Sequence, residues 1–197
     1  MARIIVAQFI TLDGVVEDPD GSDGTAFGGW AFRHGREAIA GDKFAYGPIL
    51  QTGVFLFGRK TWEHFSTLWP GREDPFARAL NAADKAVATR SGVDLGRWQN
   101  SRAVSGDVVE WARQESDHRD VVIIGSGTLV DQFVSSGVVD EYRLRVFPTA
   151  TGAGRRLFPG GCHLDLASSE RMGPTTLAIC TPALDRARIQ PWPDPRP

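Results

Sequence analysis

Three short stretches place glycines, hydroxyls and cations directly after apolar runs. They are Gly58-Arg59-Lys60-Thr61 after Val54–Phe57, Thr89-Arg90-Ser91 after Lys85–Ala88, and Gly125-Ser126-Gly127-Thr128 after Val121–Ile124. A strand that runs through a glycine turn into a helix aims free backbone N–H groups and the positive end of the helix dipole at one spot, which suits an anion. The turn at Gly125 lacks the third glycine of the dinucleotide fingerprint, because Val130 stands in its place. On spacing alone, a plain turn and a phosphate cradle fit it equally well. In an open α/β sheet, however, ligands bind outside the carboxyl ends of the strands, and all three turns fall at that end. Two adjacent helix N-termini fit a diphosphate, and Arg90 beside Ser91 fits a further phosphate monoester, which a guanidinium holds bidentately. Jointly the three turns favour a phosphorylated dinucleotide.

The elements that must position them follow from patterning. Arg3–Phe9, Val54–Phe57, Lys85–Thr89 and Val121–Ile124 are short apolar or β-branched runs of the kind buried strands need. Helices are expected over 32–46, over 58–65, over 75–83 and over Val108–Ser116, the last capped by Ser105 or Asp107. Gly35 and Gly41 weaken the first of these. Thr128 is positioned to cap a helix that begins near Leu129. Tyr142, Leu144 and Val146 alternate with Arg143 and Arg145, the period of a strand, and Thr176–Thr181 reads as a late strand. Strands and helices alternate through the first two-thirds, which predicts an α/β fold with a mostly parallel sheet and helices on both faces. The strand-rich last third predicts an antiparallel C-terminal edge. Residues 1–190 read as one domain, and 191–197 as a Pro-rich tail.

Bulk properties set the class. A chain of 197 residues can bury roughly 70% of its unfolded surface, enough for a self-sufficient core. The formal net charge of −2 argues against a nucleic-acid footprint. No apolar run approaches the ~18 residues of a membrane span. The opening MARIIVAQFI reads as a strand rather than a leader, so a cytoplasmic location is expected. Cys162 and Cys180 make no metal-ligand pair and are expected as buried or half-buried thiols. His34, His64, His118 and His163 have no ligand or triad spacing, so no metal is expected.

The order of motifs resembles a known family. T-L-D-G-V-V near the start, G-R-K-T-W, I-I-G-S-G-T-L-V, S-S-G-V-V-D-E-Y-R-L-R-V-F-P and G-A-G-R-R-L-F together resemble the dihydrofolate reductase superfamily. They resemble most closely the branch that contains the reductase domain of the riboflavin-pathway bifunctional deaminase–reductase. The resemblance runs from about residue 3 to 181 and implies a dihydrofolate reductase-like fold with NADPH as cofactor. It implies that Gly58, Arg59, Lys60 and Thr61 meet the diphosphate and 2′-phosphate side, and that Thr89, Arg90 and Ser91 meet the adenosine ribose phosphate. Gly125, Ser126, Gly127, Thr128 and Leu129, with Val130 nearby, would cradle the diphosphate. Phe9 and Val16 would touch the nicotinamide. Asp13 fits the family's loop start and Trp30 sits in the loop that would flank the substrate. Dihydrofolate reductases carry Gly-Gly with a cis bond where this chain has Gly125-Ser126. The zinc deaminase signature, H-x-E with P-C-x-x-C, is absent, so only the reductase half is represented.

The resemblance implies a reductase of a small heterocycle, riboflavin-pathway 5-amino-6-(5-phosphoribosylamino)uracil reductase-like. The alternatives are a dihydrofolate or pterin reductase and a non-catalytic NADPH-binding protein. A pterin reductase needs one carboxylate on the first helix; Glu37 and Asp42 are the candidates, and five helical positions would set them about 140° apart. The family pairs subunits through late strands, and Tyr142–Phe147 offers an alternating apolar face, which implies a homodimer.

Overall fold

The computed structural model describes residues 2–125 and 127–183; the end of the expected domain near residue 190 and the tail over 191–197 lie outside the described residues. Among the described residues eight strands form one sheet: β1 (Ile4–Thr11), β2 (Val54–Gly58), β3 (Asp84–Ala88), β4 (Ser101–Val104), β5 (Val121–Ile124), β6 (Glu141–Phe147), β7 (Leu164–Met172) and β8 (Thr175–Pro182). Their order is β4-β3-β2-β5-β1-β6-β8-β7. The first six run parallel, while β8 is antiparallel to both β6 and β7. The expected α/β class, with its antiparallel C-terminal edge, is what the chain adopts.

Both faces of the sheet are covered, which is why β1, β2 and β5 are apolar without alternation. One face carries α4 (Val108–Ser116) and α5 (Gly127–Ser136), whose Ala112, Leu129, Val130 and Phe133 pack on Val6, Leu56 and Ile123. The other carries α1 (Ile49–Thr52), α2 (Arg59–Leu68) and α3 (Pro75–Ala82), whose Trp62, Phe76 and Leu80 pack on Phe55, Phe57 and Val87. Caps fix the helix starts: Asp107 accepts from the Val109 and Glu110 N–H groups, and Asp74 from that of Ala77, with Pro75 in the first helical position. Among the described residues no helix is long and apolar enough to cross a membrane.

Three expectations about the elements fail for physical reasons. Residues 32–46 form no continuous helix, only 3-10 turns at Phe32–His34 and Arg36–Ala38. Gly35, Gly41 and Ala45 adopt left-handed φ of 83°, 65° and 51°, which breaks any helical ladder. Glu37 and Asp42 therefore share no helix, and no separation of about 140° relates them. Second, α5 begins at Gly127, so Thr128 sits within its first turn instead of capping it. Third, β6 is an interior strand, and both of its faces are covered. Tyr142 and Leu144 are spent in the chain's own core, so they offer no face to a second subunit, and Arg143 and Arg145 are buried rather than solvated. The edge strand on this side of the sheet is β7, whose residues are mostly exposed. Cys180 is buried as expected, whereas Cys162 is exposed.

Candidate functional site

The carboxyl ends of β3, β2, β5 and β1 lie side by side, so the three singled-out turns share one rim about 14 Å wide at the usual strand spacing. The middle two turns touch. Gly125 takes φ +60°, and a Cβ built there would sit 2.8 Å from Thr61 Cγ2 and 3.1 Å from Thr61 Oγ1. The glycine is therefore required twice, by conformation and by close approach. Gly58 caps α2 through backbone only, and among the described residues no side chain satisfies the first-turn N–H groups. Arg59 and Lys60 are exposed above it, and Arg59 pairs with Glu63 at 3.1 Å. Next along the rim, the Thr89 hydroxyl donates to the Ser91 carbonyl, and Arg90 is exposed. Thr128 is exposed, while Leu129 and Val130 are buried under the turn as part of the core. Ser126 lies outside the described residues, and with it the geometry of the Gly125–Ser126 bond.

One side chain not anticipated here is Arg155. Its guanidinium lies against Gly127, so closely that a Cβ at that position would collide with it, and its nearest carboxylate is that of Asp131 at 3.8 Å. Arg155 belongs to the G-A-G-R-R motif, whose spacing carried no hint of which turn it would face. Together with Arg156, Gly154, Asp131 and Pro159 it lines a cavity of about 370 Å³. A cation at a helix N-terminus opposes the dipole unless an anion joins them.

The loop over residues 12–31 is fixed on both sides. Asp13 accepts from the Thr11 hydroxyl at 2.6 Å and from the Thr151 and Gly152 N–H groups at 3.2 and 2.8 Å. These bonds, the Thr11 one first, hold its carboxyl down at about 2. Both its oxygens are engaged by the protein itself. The Val16 N–H donates to the Arg155 carbonyl at 3.0 Å. Asp20 reaches His64 on α2 at 2.8 Å, a tie between the loop and the helix. Trp30 is fully buried, donates its indole N–H to the Glu17 carbonyl at 2.9 Å and packs edge-on against Phe147.

Because the folded pKa of Asp13 lies below its unfolded value, its contribution to stability is present above about pH 4 and lost as pH falls through about 2. Asp13→Asn is expected to lower Tm at pH 6, with the gap to the wild type closing as pH approaches 2. Calorimetry over that range checks it, and a gap independent of pH contradicts it.

Of the two candidate carboxylates within 32–46, Asp42 is engaged by the backbone and Glu37 is open to solvent. Asp42 accepts from the Tyr46 and Gly47 N–H groups at 2.9 and 2.8 Å, closing a local turn. Glu37 is exposed, lies against Gly173 of the β7–β8 turn and borders a cavity of about 570 Å³ with His34, Arg171 and Pro174. The group that the fold brings to Phe9 is instead Lys43, whose Nζ lies 5.8 Å from the Phe9 ring centre. Its position is set by β6: Arg143 donates to the Phe44 and Ala45 carbonyls at 3.1 and 2.6 Å, and Arg145 to the Lys43 carbonyl at 3.4 Å.

Residues 2–178 match the model of the RibD C-terminal domain family. A curated relative is YyaP of Bacillus subtilis (strain 168), itself uncharacterized, which is 24% identical over 164 residues, 79% of this chain and 80% of that one. Among solved structures, a protein from Shewanella sp. PV-4 named provisionally for riboflavin biosynthesis superposes with a TM-score of 0.68 at 17% identity, covering 92% of this chain and 99% of the other. RibD of Acinetobacter baumannii superposes with a TM-score of 0.60 at 15% identity, over 93% of this chain but 58% of its own. At these identities the structural likeness is one of fold.

Proposed function

Since the chain belongs to the RibD C-terminal domain family, we propose that it is an NADPH-dependent reductase. Its substrate would be a small heterocycle, a riboflavin-pathway 5-amino-6-(5-phosphoribosylamino)uracil. The observation that carries this reading is the contact of Gly125 with Thr61, which joins two helix starts on one rim beside Arg90 and Arg155.

The residues present fit the cofactor. Gly125 lets the turn before α5 close on Thr61, Gly127 lets the Arg155 guanidinium lie against the start of α5, and first-turn N–H groups of α2 face the same rim. Gly58, Thr61, Gly125, Gly127 and Thr128 would hold the diphosphate, Arg59, Lys60, Thr89, Arg90 and Ser91 the 2′-phosphate end, and Phe9 and Val16 would flank the nicotinamide. When bound, NADPH supplies a hydride to a C=N or C=O carbon. The chain's own part is to orient it, exclude water and move a proton. Among the described residues, the carboxylate that a pterin reductase needs has no buried candidate in 32–46, which supports the pyrimidine over the pterin. The homodimer belongs to the same proposal, through the exposed edge strand β7 rather than β6.

Fluorescence titration is expected to give tighter binding of NADPH than of NADH. Arg90→Gln should weaken NADPH about tenfold, near 1.4 kcal/mol, and leave NADH unchanged. A turnover screen should then give NADPH oxidation with the ribosylaminopyrimidine phosphate and none with dihydrofolate. Equal affinity for both nucleotides, or turnover of dihydrofolate alone, overturns the reading.

A further inference from the structure

Lys43 is one of only three lysines in the chain. Its ammonium is ringed by Phe9, Trp69 and Phe76, with ring centres at 5.8, 5.4 and 5.3 Å, and donates to the Ile39 carbonyl at 2.9 Å. The rings come from β1, the end of α2 and the start of α3, so the amine stands where three elements converge on the carboxyl half of β1. Two buried arginines of the neighbouring β6 hold the backbone on which it rides. A cation in such a place is well held by the ring faces, yet a surface lysine needs no buried scaffold to stack on an aromatic.

We propose that Lys43 faces the hydride acceptor beside Phe9 and is the proton donor of the reduction. This inference rests on the reductase reading above. As the acceptor carbon takes the hydride, the π pair of the C=O or C=N bond moves to the heteroatom. Lys43 passes that atom its proton, is left as a neutral amine and regains a proton from water, and the nicotinamide ends oxidised. The surroundings suit the task. Desolvation first, then the charges of Arg72 and Arg145, outweigh those of Asp42 and Asp74 and bring the amine down to about 8. An acid poised there is charged at neutral pH and gives its proton readily.

The test uses protein labelled with 13C at the lysine ε carbon. Lys43→Arg assigns one of three signals; Lys60 is exposed and Lys85 fully buried, so the three environments differ. The Lys43 signal is expected to titrate near 8. NADP+, with its cationic nicotinamide ring, should lower that midpoint more than NADPH does, and 2′,5′-ADP, which lacks the ring, should leave it in place. Lys43→Gln should lower kcat with the pyrimidine at least a hundredfold while its NADPH Kd stays within threefold, and Lys43→Arg should move the alkaline limb of kcat beyond pH 10. A Lys43 signal blind to both nicotinamide nucleotides, while Lys60 responds to 2′,5′-ADP, overturns this assignment and leaves the cofactor reading intact. So does a Lys43→Gln enzyme with wild-type kcat. If no lysine and no tryptophan responds to any nucleotide, the cofactor reading fails and this inference with it.

Discussion

Gly125→Ala is expected to weaken NADPH binding about a hundredfold, near 2.8 kcal/mol, with only a modest loss of fold stability. Two effects meet at this position. A non-glycine residue at φ +60° costs about 1–2 kcal/mol of backbone strain. The new methyl would also lie 2.8 Å from Thr61 Cγ2, closer than real carbons approach, so α2 and the turn before α5 must part. The short Thr61 side chain has little room to yield, because Trp62 beside it is fully buried. Gly137 separates the two effects. It has φ +67° and nothing within 4 Å of its Cβ position, and it follows the far end of α5. Gly137→Ala should show a smaller fall in Tm, from backbone strain alone, and unchanged affinity for NADPH. Isothermal titration on both variants decides the matter: affinity within threefold of wild type for Gly125→Ala means the turn is structural only.

That contrast bears on what the amino-acid sequence could disclose. The strands over 54–57 and 121–124 were legible because a parallel strand covered on both faces reads as an unbroken apolar run. The rim was legible for the same reason, since parallel strands put their following turns at one end. The stretch over 32–46 was misread because its apolar spacing resembles a helix, while the left-handed residues that break it include Ala45, which gives no warning. Strand β7 passed unnoticed because its sequence, LDLASSERM, has no β-branched or aromatic residue and its side chains are mostly exposed. Lys43 could not be found from spacing at all. Its partners Trp69, Phe76 and Arg145 stand 26, 33 and 102 positions away, so only the folded chain brings them together.

The same holds for Arg143, and it yields the largest expected effect on stability. A strand pattern of Tyr-Arg-Leu-Arg-Val suggests a wet face, but Arg143 is buried and makes three bonds: to Glu141 at 2.6 Å, and to the Phe44 and Ala45 carbonyls at 3.1 and 2.6 Å. Arg143→Leu would leave two carbonyls without their donor and Glu141 with half of its partners, since Arg3 still reaches its other oxygen at 2.5 Å. Breaking a buried pair from one side costs about 3–5 kcal/mol. The retained Arg3 contact sets the expectation near 3, a fall of roughly 6–12 °C in Tm for a domain of this size. Replacing both partners, Glu141→Leu with Arg143→Leu, removes the orphaned carboxylate and should recover part of the loss, as a double-mutant cycle would record. What the double variant fails to recover belongs to the carbonyls of residues 44 and 45, hence to the turn that carries Lys43. If the double variant recovers everything, those carbonyls find other donors, and β6 does not hold the lysine in place.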